Sequence, residues 1–135
     1  MNKIDLSNLQ LKTFTEQNAL DYCMLNNLNP DNITELYLYN NKLTDISGIK
    51  LFKNLEYLDL FKNGISNISV LNNLIKLKSL NLDQNNIKNL KDIKNLNNLF
   101  NLELNNNKIT YISDLKDLKK LKYLCLGNNP IKDIS

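Results

Sequence analysis

The sequence predicts an α/β solenoid, with a parallel β-sheet on its concave face and short 3₁₀ turns and loops on its convex face. Two observations carry this. A 22-residue unit recurs in register as residues 33–54, 55–76, 77–98 and 99–120, and its opening returns at 121–135. A fixed period in this size range is the mark of stacked repeats. Within each unit, apolar residues fill the same columns. Position 1 is Ile33, Leu55, Leu77, Leu99 and Leu121. Position 4 is Leu36, Leu58, Leu80, Leu102 and Leu124. Position 6 is Leu38, Leu60, Leu82, Leu104 and Leu126.

Positions 3 to 7 alternate, as in Tyr57-Leu58-Asp59-Leu60-Phe61. That is the period of a strand with one buried face. Position 9 is asparagine throughout: Asn41, Asn63, Asn85, Asn107 and Asn129. The chain must turn there, and backbone groups buried in the turn need partners. An asparagine amide offers both donor and acceptor. A buried, structural asparagine ladder is expected. Positions 11 (Leu43, Ile65, Ile87, Ile109, Ile131) and 14 (Ile46, Ile68, Leu90, Ile112, Ile134) are apolar again. The polar stretches between them, such as Thr44–Ile49, predict single 3₁₀ turns. Gly48 and Gly64 read as local backbone adjustments.

These columns resemble the leucine-rich repeat pattern L-x-x-L-x-L-x-x-N-x-L over residues 33–135. The short repeat is similar to those of internalin-like bacterial surface proteins and phosphatase regulatory subunits. The resemblance implies a non-catalytic module that receives a protein partner on its concave sheet.

Residues 1–32 read as a degenerate capping repeat. Ile4, Leu6, Leu11 and Phe14 fall at positions 4, 6, 11 and 14, with Leu9 in place of the asparagine. A helix is expected over 14–28. Thr13 and Glu16 would form its capping box, Leu20, Cys23, Met24 and Leu28 its buried face, and Asn29-Pro30-Asp31 its stop. Residues 33–120 then give four full repeats and 121–135 a partial fifth. No polar cap follows Ile134, so the strand beginning at Tyr123 is expected to be an open sheet edge. Pairing through that edge, as an assembly unit or a piece of a longer array, is the alternative function.

Composition narrows the function. There are no histidines, and neither a phosphate-binding glycine loop nor a zinc spacing occurs. No catalytic residue, metal site or cofactor is expected. Net charge is +3, and no run reaches the length of a membrane span. The chain's richness in Asn, Lys and Ile fits an AT-rich genome. Cys23 and Cys125 are expected to be free thiols, which suits a reducing compartment. With no apolar leader at residues 1–8, the expected location is cytoplasmic, or secreted if a signal peptide has been removed.

The outward columns hold the candidate site. Glu35, Tyr57 and Tyr123 lie at position 3, Tyr37, Asp59 and Glu103 at position 5, and Tyr39, Phe61 and Asp83 at position 7. Tyr37, Tyr39, Tyr57 and Phe61 gather on two neighbouring strands, as interface anchors do. Phe61 is expected to face solvent. The face is acidic, which points to a polar or basic protein patch and away from nucleic acid. No membrane contact is expected.

Overall fold

The computed structural model describes residues 2–132. Six parallel strands form one open sheet in chain order: β1 (Lys3–Asp5), β2 (Glu35–Tyr37), β3 (Tyr57–Asp59), β4 (Ser79–Asn81), β5 (Asn101–Glu103) and β6 (Tyr123–Cys125). Each residue pairs with its repeat equivalent, as Leu36 with Leu58 and Leu58 with Leu80. The first strand belongs to the degenerate repeat, where Ile4 pairs with Leu36. The convex side carries 3₁₀ turns at Ser47–Leu51, Ser69–Asn73, Lys91–Ile93 and Ser113–Leu115, with an earlier one at Pro30–Asn32.

Between sheet and turns lies one continuous core. The columns at positions 1, 4, 6 and 11 are fully or almost fully buried from Ile33 to Ile109. Stacking is what creates this core, because a single repeat has nothing of its own to cover its leucines.

The strands are shorter than the alternation predicts, ending at position 5. The cause lies two and three residues on. The position 7 N–H turns toward a side chain, and position 8 adopts a left-handed conformation in every repeat: Asn8, Asn40, Lys62, Gln84, Asn106 and Asn128 have φ between 54 and 61°. Asparagine tolerates this region better than most residues, whereas Lys62 and Gln84 occupy it only because the lattice on both sides requires the turn.

At position 9 each asparagine reaches backward by one repeat. Asn85 Oδ1 accepts from Ile65 N at 3.0 Å, and its Nδ2 donates to Leu60 O at 3.0 Å and Leu82 O at 3.1 Å. Asn63, Asn107 and Asn129 repeat the arrangement with Leu43, Ile87 and Ile109. Asn41 accepts from both Leu9 N and Leu11 N, each at 3.0 Å. The asparagines therefore bond to backbone rather than to one another. Asn41, Asn85 and Asn107 are buried, whereas Asn63 and Asn129 are half-buried.

The N-terminal helix departs from the sequence expectation in three ways. The helix α1 spans Glu16–Leu25, not 14–28. Thr13 and Phe14 stay in the repeat lattice: Thr13 bridges Asp45, and Phe14 N donates to Asp45 O at 2.7 Å. Phe14 is buried and stacks on Phe52, with centroids 6.2 Å apart. The capping box accordingly starts later, at Thr15. Its hydroxyl accepts from Asn18 N at 3.1 Å, and Asn18 Oδ1 accepts from Thr15 N at 2.9 Å. Glu16 instead pairs with Lys50 at 2.9 Å.

The inward face is formed by Ala19 and Cys23, not by Leu20 and Met24, which are exposed; Leu28, beyond the helix, is half-buried. Small residues are required because α1 packs close to the Ser47–Leu51 turn. A Cβ on Gly48 would lie 2.3 Å from Thr15 O and 2.8 Å from Phe14 O. That glycine is a close-approach site, more than a local adjustment. The helix ends before Asn26, and Asn27 turns left-handed. Asn29 then caps the Pro30–Asn32 turn through Asp31 N, at 3.0 Å.

At the other end β6 is an edge strand, and Leu124 is 40% exposed where Leu36, Leu58, Leu80 and Leu102 are at most 3%. Ile134, the last expected core position, lies outside the described residues.

Candidate functional site

Register fixes the composition of the concave face. Neighbouring strands lie about 4.8 Å apart, so each column is a row of side chains at that spacing. One row reads Lys3, Glu35, Tyr57, Ser79, Asn101, Tyr123, and the next reads Asp5, Tyr37, Asp59, Asn81, Glu103, Cys125. Lys3 and Asp5 extend the expected face by one strand. Aligning the degenerate repeat from residue 1 already placed them at positions 3 and 5, but its missing asparagine hid that it carries a strand.

The structure brings Glu35, Tyr37, Tyr57 and Asp59 together on β2 and β3. Tyr57 lies beside Glu35, and Tyr37 between Asp5 and Asp59. Tyr37 Oη donates to Glu35 Oε1 at 2.7 Å, and Lys3 Nζ sits 5.2 Å from the centre of the Tyr37 ring. The Glu35 carboxylate, burial and the neighbouring carboxylates push the Tyr37 hydroxyl up to about 12. Tyr57 is 39% exposed. Tyr39 and Phe61 lie one layer further along, half-buried. Phe61 is thus partly covered, where the sequence reading expects it to face solvent. Among the described residues none of these four rings stacks on another; the stacked pair is Phe14 with Phe52, in the core. Tyr123 stands apart, three strands from Tyr57.

The carboxylates have two occupations. The position 7 N–H in each repeat is held by a side chain. Phe61 N donates to Asp59 Oδ1 at 3.0 Å, Asp83 N to Asn81 Oδ1 at 3.0 Å, and Asn105 N to Asp83 Oδ1 at 2.7 Å. Asp59 and Asp83 thus secure the backbone with one oxygen. They also repel each other. Burial pushes the Asp59 carboxyl up, the Phe61 N–H partly offsets this, and the Asp83 and Asp5 charges add to the rise. Glu103 is raised by burial and by the Asp83 and Asp59 charges.

Fold, repeat pattern and asparagine geometry can be set beside known proteins. The family described as Leucine Rich repeats (2 copies) matches residues 31–73 and 97–135, more than half of the chain. The chain belongs to the leucine-rich repeat family. Domains of this family generally mediate protein–protein interaction. The structure is similar to an internalin, InlF, from Listeria monocytogenes, at 32% identity and a TM-score of 0.77, over 96% of this chain and 40% of that one. Internalin C2 from the same species gives 27% identity and a TM-score of 0.75, over 99% of this chain and 74% of that one. The leucine-rich repeat ectodomain of the receptor kinase SOBIR1 from Arabidopsis thaliana gives 29% and 0.72, over 95% and 70%. This leucine-rich repeat chain thus spans less than half of InlF. No curated protein matched its sequence. No helix among the described residues is long and apolar enough to cross a membrane. Cys23, buried, and Cys125, half-buried, are both free thiols.

Proposed function

We propose that this leucine-rich repeat chain is a non-catalytic recognition module that takes a protein partner on the β1–β4 side of its concave sheet. The observation that carries this is a rigid acidic face set with tyrosines. Burial raises the Asp59 and Glu103 carboxyls, and neighbouring charges add to the rise, Asp83 and Asp5 at Asp59 and Asp83 and Asp59 at Glu103; Glu35 extends the negative charge to β2. A basic residue of a partner would relieve that repulsion, and Tyr57, with Tyr37 and Tyr39 beside it, offers the apolar contact that anchors an interface. Phe61 holds the position equivalent to Tyr39 one repeat on and adds apolar surface there. Asp83 and Glu103 set the polarity at the middle of the face, and Tyr123 marks its far limit. A cytoplasmic setting belongs to this reading, on the chemistry of two unpaired thiols.

The test is partner capture with the full chain, comparing wild type with the double variant Tyr37→Ala, Tyr57→Ala. Loss of the captured protein with an unchanged melting temperature supports the concave site. Undiminished capture by a folded variant moves the site elsewhere.

A second reading rests on β6. Exposed Tyr123 and Leu124 form an edge that another strand in the same register would cover. Sedimentation velocity over a concentration series tests it: growth with concentration supports pairing, and a constant monomer refutes it.

A further inference from the structure

The flank of the solenoid that leads into the strands has a chemistry opposite to the concave face. Position 2 of three successive repeats is Lys78, Phe100 and Lys122, held in one row by Phe100 N to Lys78 O and Lys122 N to Phe100 O, both 2.9 Å. Position 22 of the repeats just before supplies Lys76, Asn98 and Lys120 as a parallel row. Lys78, Asn98, Phe100, Lys119, Lys120, Leu121 and Lys122 line a cavity of about 400 Å³. Its floor is the half-buried Phe100 and Leu121, and its rim is ammonium groups.

One of those ammonium groups is held in place from below, and Lys76, outside the cavity, shows the same arrangement one repeat earlier. Lys120 Nζ donates to Asn98 Oδ1 at 3.0 Å, and Asn98 Nδ2 in turn donates to Ile75 O at 2.9 Å. Lys76 Nζ is fixed in the same way on Asn54, at 2.8 Å, and Asn54 on Asp31 O, at 2.7 Å. Such preorganisation lowers the ordering cost of binding. Compensation is uneven. Lys78 is paired with Glu56 at 2.7 Å, whereas among the described residues no carboxylate pairs with Lys119, Lys120 or Lys122.

We propose that this flank is a second binding surface, separate from the concave face, for a short acidic peptide segment with an apolar residue between its carboxylates. The apolar side chain would enter the cavity over Phe100 and Leu121. The carboxylates would meet Lys78 on one side and Lys120 and Lys122 on the other. An extended segment of the form acidic-x-apolar-x-acidic puts all three side chains on one face over about 13 Å. That suits two lysine side chains splayed from rows about 9.6 Å apart. Charge decides the class of partner. All 17 basic residues of the chain are lysines, with no arginine fork for phosphates, and Phe100 is a lone ring where strand-tracking surfaces use several.

The test is fluorescence anisotropy with the full chain and a labelled Glu-Ser-Leu-Ser-Glu peptide, beside a Glu-Ser-Gly-Ser-Glu peptide, a Lys-Ser-Leu-Ser-Lys peptide and a single-stranded oligothymidylate. The Glu/Leu peptide should bind most tightly and weaken at least tenfold on Lys120→Glu, Lys122→Glu. It should weaken further with salt and be unaffected by Tyr37→Ala, Tyr57→Ala. Phe100→Ala should bring the leucine peptide down to the level of the glycine one. The surface lysine variant, checked by its melting curve, keeps the test valid if Phe100→Ala unfolds. Failure of the Glu/Leu peptide to bind, equal binding of the lysine peptide, or tighter binding of the oligonucleotide that is lost with the same lysine variant would each overturn the proposal.

Discussion

Replacing Asn85 with leucine tests the structural reasoning most directly. The side chain is buried, and four backbone groups depend on it: Ile65 N, Leu60 O, Leu82 O and Asp83 O. The three carbonyls keep other donors. Leu60 O still accepts from Asn63 Nδ2, Leu82 O from Asn107 Nδ2, and Asp83 O from Lys62 N. Ile65 N–H has no replacement. Orphaning one buried donor costs about 1–3 kcal/mol, and a weakened carbonyl a few tenths more. The expected loss is about 2–3 kcal/mol, or a melting temperature lower by roughly 6–12 °C for a chain of this size. Circular dichroism at 222 nm measures it. The matched control is Asn129→Leu, whose half-buried site lets water replace the amide, so its cost should stay below about 1 kcal/mol. Equal losses at the two positions, or an Asn85→Leu protein that melts like wild type, would refute the reasoning.

Gly48→Ala drives a Cβ into the carbonyls of Phe14 and Thr15 and should cost about 1–3 kcal/mol. Limited proteolysis should then cut within residues 15–28 before the repeats melt. Asp59→Asn keeps the acceptor for Phe61 N–H, as Asn81 already does one repeat on, and removes a charge that burial and like charges disfavour. A carboxyl with a raised folded pKa favours the native state at low pH and loses that contribution as pH rises above about 4 through the folded value. The asparagine variant should therefore melt higher at pH 7 and show a flatter stability profile above pH 4 in urea titrations. Lys62→Asn should stabilise by about 0.5 kcal/mol, since asparagine accepts the left-handed backbone at less cost; a lower urea midpoint would contradict this.

The repeat lattice was legible because it is written many times. A column of five leucines at position 4 cannot be misread, and the stacking it implies follows from burial alone. The cap was misread where the pattern is written once. Leu20 and Met24 look like a buried face on helical spacing, but the Ser47–Leu51 turn leaves room only for Ala19 and Cys23. Thr13 and Glu16 spell a capping box, but Phe14 is held in the core by Phe52, so the helix starts after it. On the concave face, register located the columns and could not tell that Asp59 and Asp83 also hold backbone N–H groups. Nor could it show that Phe61 is half-buried, because strand alternation assigns position 7 to a face without saying what covers it.

The asparagines at position 9 also give the solenoid a direction. Each reaches back to the N–H at position 11 of the preceding repeat, as Asn129 does to Ile109. A repeat is thus completed by the one that follows it in the chain. Peeling the array from its C-terminal side uncovers the position 11 N–H, as Ile87 N once Asn107 leaves, and peeling from the other side uncovers the asparagine amide together with ladder donors such as Lys78 N. Both ends expose donors to water, but only detachment from the C-terminal side removes an amide that reaches into the repeat left behind.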